Sequence, residues 1–125
     1  MWTLKRSLAD KLFSDYIRER DKWTCQRCFS KYQPPTSGLH CSHFHGRGKK
    51  SVRWDIENAA AMCWGCHQYL GSHPLDHVEL FKKRLGENRF DLLTLRANMP
   101  KKVDQKLVVL EMKDRLKDLR LGLDV

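Results

Sequence analysis

The stretch CWGCHQ, Cys63 to Gln68, decides how this chain is read, because two closely spaced thiols followed by an imidazole admit more than one chemistry. A CxxCH can attach haem, can form half of a zinc site, or can be a knuckle whose histidine serves another site. Upstream, Cys25 and Cys28 form a second CxxC, so the whole reads CxxC-x34-CxxC. Two such knuckles supply the four thiolates that tetrahedral structural Zn²⁺ takes. Haem attachment through Cys63, Cys66 and His67 would leave Cys25 and Cys28 without a role and needs an exported protein. With both thiols of the second knuckle on zinc, His67 is spare, since a closed tetrahedral site has no fifth position. It must face something else.

The rest of the composition is consistent with that choice. At 125 residues the chain is one domain, small enough for a metal to contribute much of its stability. Its 24 Lys+Arg against 15 Asp+Glu give a net charge of +9, which favours a polyanionic partner such as DNA. From Trp23 through Trp54 there is no Asp or Glu, while Arg27, Lys31, Arg47, Lys49, Lys50 and Arg53 lie there. Taken alone such a run is a solvated loop, but its place beside the Cys/His cluster turns it toward nucleic acid. No apolar stretch suits a signal peptide or a membrane span, so the expectation is a cytoplasmic protein with no membrane partner. In that reducing setting five cysteines argue for metal rather than disulfides.

Periodicity divides the chain into an N-terminal helix (4–21), a zinc core (22–73) and a C-terminal helical region (74–125). Leu4, Leu8, Leu12, Phe13, Tyr16 and Ile17 mark the first helix, capped either by Thr3 or by Ser7 with Asp10 in a capping-box pattern. After the loop YQPPTSG, LHCSHFHG alternates as a short strand, with Leu39, Cys41, His43 and His45 on one face and His40, Ser42 and Phe44 on the other. GRGKK reads as a hairpin tip, SVRW as the second strand and DIENAAAM as a loop. A helix from about Cys66 breaks around Gly71 to Pro74. Pro74 opens another, carrying Leu75, Val78, Phe81 and Leu85 to Gly86. A further stretch spans Phe90 to Ala97. The last stripe, Val109, Met112, Leu116, Leu119 and Leu123, either packs back on the domain or forms a homodimer.

His43, Asn58 and His67, lying between and upon two CxxC knuckles, resemble the His-Asn-His pattern of HNH endonucleases, the ββα-metal nucleases. KLFSDYIRERDKWTCQRC, SHFHGRGKKSVRWDIEN and CWGCH also resemble phage NinG-type recombination proteins, over roughly the first two thirds of the chain. The resemblance implies a small α+β fold, a ββα-metal finger stabilised by a four-cysteine zinc site and flanked by helices. It also implies a metal-dependent DNA endonuclease, a phosphodiester hydrolase encoded by a phage, prophage or bacterium. His43 is then the general base, Asn58 orients the His43 ring, and His67, with His43, meets a catalytic divalent ion (Mg²⁺, Mn²⁺, Ni²⁺ or Zn²⁺).

Two positions depart from the pattern. Ser42 stands where many HNH enzymes have an Asp or His ligand just before the base, and Gly71 where many have a polar residue four after the helix histidine. His45, His40, His73, Asp55, water or a DNA phosphate are the candidates to complete the ion's shell. His45 is preferred because alternation puts it on the His43 face, with a DNA-contacting or solvent role as its alternative. Arg47, Lys49, Lys50 and Arg53 would meet phosphates. Trp54 and Trp64 either stack on bases or fill the core, and Cys41 is left as a packed thiol. The competing functions are a non-catalytic zinc-stabilised nucleic-acid-binding module and an interaction module built on the terminal helices.

Overall fold

This computed structural model describes residues 6–122. The first helix, α1, spans Leu8–Arg20 and starts where the capping box places it. Ser7 Oγ accepts from the Asp10 N–H (3.2 Å), and the Asp10 carboxylate accepts from the Ser7 N–H (2.9 Å), a pairing that stabilises a helix start by about 1 kcal/mol. The start is therefore later than residue 4; Thr3 and Leu4 lie outside the described residues. Ala9, Phe13, Tyr16 and Ile17 turn their apolar sides inward and are buried.

They meet Val108, Met112 and Leu116 of the last helix, α5 (Gln105–Arg120), which folds back along α1. Of the stripe expected there, Met112 and Leu116 are buried and Val109 and Leu119 partly so; Leu123 lies outside the described residues. An ion pair from Arg120 to Glu19 (2.8 Å) closes the far end of this contact.

The hairpin differs from the one the sequence suggests. Strand β1, Leu39–His43, pairs antiparallel with β2, Ala59–Cys63, in a register running from Leu39↔Cys63 to His43↔Ala59. SVRW is instead a run of tight turns, with Val52 N–H donating to Lys49 O and Asp55 N–H to Val52 O. Alanine is a poor strand former, but Ala59, Ala60, Ala61 and Met62 are all within 1 % of complete burial. Small side chains allow that strand to be covered on both faces, so packing overrides propensity. The long loop between the strands is anchored by Val52, fully buried against Leu93 and Ala97, and by Ser51 Oγ donating to Arg96 O (2.7 Å).

Helix α2, Trp64–Ser72, follows β2 directly, and the Cys63 thiol caps it by accepting from the Cys66 N–H. Helices α3, Pro74–Leu85, and α4, Glu87–Asn98, turn at Gly86, whose φ of 82° suits a residue without a Cβ. Phe81 and Phe90 of this pair join Leu39, Met62 and Leu70 in the second half of the core. Among the described residues the result is a small α+β fold of five α-helices and one two-stranded sheet, with a β-β-α unit at its centre. No helix among them is long and apolar enough to cross a membrane.

Asp10 ties α1 to the inter-strand loop. Its carboxylate accepts from Arg53 Nε (2.9 Å) and Nη2 (2.5 Å), from Trp54 Nε1 (3.0 Å) and from Ser7, and both Asp10 and Arg53 are more than 90 % buried. Burial by itself raises the carboxyl, but the Arg53 and Ser7 hydrogen bonds and the Arg53 charge outweigh it and hold Asp10 at about 2 instead of 3.8. A depressed carboxylate stabilises the fold above its unfolded value and loses that contribution as pH falls through its folded value, here about 2 kcal/mol between roughly pH 4 and pH 2. Asp10→Asn should therefore be less stable than wild type near neutral pH, with the gap in chemical denaturation narrowing below pH 4; a pH-independent gap would contradict this role.

Candidate metal centre and histidine cleft

The four knuckle thiols come together. Cys25, Cys28, Cys63 and Cys66 have Sγ atoms all within 4.8 Å of one another, and Cys28 and Cys63 are 3.8 Å apart. A tetrahedral ion with bonds of about 2.3 Å sets its sulfurs about 3.8 Å from each other, so the cluster fits a structural metal such as zinc. The chain builds the first knuckle as a tight turn, with Phe29 N–H donating to Cys25 O, Cys25 N–H to Ser30 O, and Phe29 in the left-handed region at φ 65°. Gln26 N–H donates to Ala61 O, which seats this knuckle on β2 beside the second.

His43 closes β1 on the opposite side of the hairpin. Its ring stacks on Phe13 at 5.5 Å, and its Nε2 lies 3.0 Å from the Arg53 carbonyl. A carbonyl only accepts, so Nε2 carries the proton in the neutral ring and Nδ1 keeps its lone pair. Burial pushes His43 below the ordinary histidine range; the Arg47 and Arg53 charges add to this, while the Arg53 carbonyl and Asp10 oppose it. The ring is thus a neutral base with one nitrogen available. Of the two roles expected of it, proton acceptor and ion ligand, it can fill one at a time.

His67 stands on the first turn of α2, next to Cys66, and its Nδ1 is 2.9 Å from Ser42 Oγ. A hydroxyl can accept or donate; in the tautomer where Nδ1–H donates to Ser42, Nε2 is the atom left for a ligand, the arrangement that orients many metal-binding imidazoles. Ser42, the residue that departs from the expected ligand pattern, therefore holds His67 in place. Burial pushes His67 down, helped by His40, whose ring centre is 5.5 Å away.

His43 and His67 line the same two adjoining clefts, of about 590 Å³ and 650 Å³. The first opens between α1 and β1 and is bordered by Arg6, Arg18 and Arg47; the second opens between α2 and α3 and includes His73 and His77. Arg6, Arg18 and His77 were not among the sequence candidates. Nothing local in the sequence flags them, because they reach the clefts only through the packing of α1 and α3.

Three expectations change. Asn58 does not touch the His43 ring. It is fully buried, accepts from the His45 N–H (2.8 Å) and donates to the His45 and Val52 carbonyls (2.9 and 3.0 Å), clasping the start of the inter-strand loop to its middle. It positions His43 at one remove, because that loop carries the Arg53 carbonyl. Arg53 itself is buried against Asp10 and does not face solvent as a phosphate contact would. His45 does not share the His43 face: β1 ends at His43, and the His45 ring packs edge-on against Phe44.

Other candidates divide in the same way. Arg47 borders the first cleft with a side chain one-third exposed, 3.8 Å from Asp10. Lys49 and Lys50 line a separate groove with Lys101 and Lys102, at the turn from α4 toward α5. Asp55 is committed to Arg96 (2.8 Å) and to the Glu57 N–H. His73 stacks on Tyr69 with Nδ1 2.8 Å from Tyr69 O. Trp54 is a core residue on Asp10, Trp64 is 62 % exposed, and Cys41 is a packed thiol that burial pushes up to about 12.

Comparison with models of known protein families, with curated proteins and with solved structures finds no match to this chain. The site rests on its own geometry. Cys25→Ser should lose about one bound metal per chain and melt ~10 °C or more lower, because a structural metal site contributes folding energy outright. Metal analysis and calorimetry check this, and a metal-free wild type that melts unchanged would contradict it.

Proposed function

We propose that this chain is a metal-dependent DNA endonuclease of the HNH class, in which the β-β-α unit is the ββα-metal finger. One observation carries the reading: His43, its Nε2 on the Arg53 carbonyl, and His67, its Nδ1 on Ser42, border the same two clefts, the first of which Arg6 and Arg47 also line. A scissile phosphodiester in that space would have a proton acceptor on one side and an ion-binding imidazole on the other.

His43 Nδ1 would take a proton from water as its oxygen attacks phosphorus, and the Arg53 carbonyl, accepting from Nε2–H, keeps the ring aligned while it becomes charged. The Arg6 and Arg47 guanidinium groups would balance the added negative charge at the phosphate. A divalent ion at His67 would supply Lewis-acid stabilisation of the crowded oxygens and of the departing 3′ oxygen. The groove of Lys49, Lys50, Lys101 and Lys102 extends the positive surface beyond the cleft, where duplex backbone could follow.

The second reading is a zinc-stabilised nucleic-acid-binding module without catalysis. It draws on Ser42, which orients His67 instead of adding a ligand. Plasmid cleavage assays separate the two. Wild type with a divalent ion should cut supercoiled plasmid, while EDTA or His43→Ala should reduce the rate at least 100-fold with DNA affinity retained. Equal binding without any cutting favours the module. Replacing Lys49 and Lys50 by Ala should weaken binding and flatten its dependence on salt by roughly one to two phosphate contacts, read from affinity against ionic strength.

A further inference from the structure

Two side-chain nitrogens are buried without a partner among the described residues, Nε2 of His45 and Nε2 of His77. Leaving such an atom unpaired is costly, so two of them on rings against one phenylalanine need a reason. Both rings stand edge-on to Phe44, each with its centre 4.8 Å from that ring. His45 arrives from the start of the inter-strand loop, and His77 from α3, whose first turn follows the break in α2. The cleft between α2 and α3 sets His77 beside His67, Ser42 and His43. Ser42 occupies Nδ1 of His67, leaving Nε2 as its donor toward that cleft.

We propose that His67 and His77, with His45 as third donor, bind the divalent ion through their Nε2 atoms. His77 then supplies the ligand that Ser42 and Gly71 do not, from the helix after the finger instead of from the finger itself. Among the described residues only the four thiols already lie within 4.8 Å of one another, so the imidazoles close on the ion by side-chain rotation, His67 and His77 from the lining of the cleft and His45 from behind Phe44. A neutral imidazole nitrogen with a free lone pair is the form that ligates a metal. Three imidazoles select a borderline transition metal such as Co²⁺, Ni²⁺ or Zn²⁺ over Mg²⁺, which prefers oxygen. The proposed function bears on what this ion does, not on whether it binds.

The test titrates the full chain, already carrying one Zn²⁺, with Co²⁺, and follows visible absorption and heat. Wild type should take up a second equivalent whose spectrum lacks the intense thiolate charge-transfer band. His77→Phe, which keeps a ring between Phe44 and Phe81, and His77→Gln should keep their Zn²⁺ yet bind this Co²⁺ at least tenfold more weakly. Should either variant lose its Zn²⁺, His45→Gln reads the same site from the loop and should weaken it likewise. The proposal is overturned if wild type takes no second ion, or if zinc-retaining variants bind it as tightly as wild type. A chain that binds the ion but never cuts DNA sinks the nuclease and leaves this site standing; one that cuts while its ion ignores His77 does the reverse.

Discussion

Everything in this molecule depends on four thiols being drawn to one point. Cys25 and Cys28 sit on a tight turn after α1, Cys63 ends β2, and Cys66 lies in the first turn of α2. Joining them fixes the angle between the hairpin and the helix. Because successive residues on a helix point about 100° apart, turning Cys66 toward the sulfur cluster turns its neighbour His67 elsewhere, here toward Ser42 on β1. The CxxCH of the sequence thus couples the thiol cluster to the orientation of a histidine at the cleft, one residue away.

A second constraint acts from the other end of the hairpin. Asn58 ties His45 to Val52, and Asp10 holds Arg53 and Trp54, so the inter-strand loop is fastened at both its base and its middle. The consequence is one carbonyl, that of Arg53, fixed 3.0 Å from His43 Nε2. The arginine side chain does not contact the cleft; its burial places its own backbone. Packing and tautomer meet in that residue, since releasing the Arg53 side chain also releases the carbonyl that sets which His43 nitrogen carries the proton.

Much of this was legible in the sequence, and the parts that were not have physical reasons. The CxxC pairs, the capping box at Ser7, the Pro74 start and the Gly86 turn are local signals, and each falls where its chemistry requires. The second strand was not legible, because Ala59 to Ala61 read as helix or loop until α1 and α2 cover both sides of them. Arg53 reads as one more cation in a basic run because its partner, Asp10, is remote in sequence. Asn58 clasps the backbone of the inter-strand loop and makes no hydrogen bond to the His43 ring, a distinction that residue type cannot make. His77 is invisible for the same reason: it joins the cleft only because α2 stops at Ser72 and α3 turns back.

The coupling of thiol cluster to histidine tautomer can be measured directly by long-range ¹H–¹⁵N NMR of the imidazole rings in the zinc-loaded chain. His43 should be protonated on Nε2 and His67 on Nδ1 at neutral pH, each as a single tautomer, with both averaging once the metal is stripped by a chelator. Opposite tautomers in the loaded chain, or fixed tautomers that survive metal removal unchanged, would contradict it.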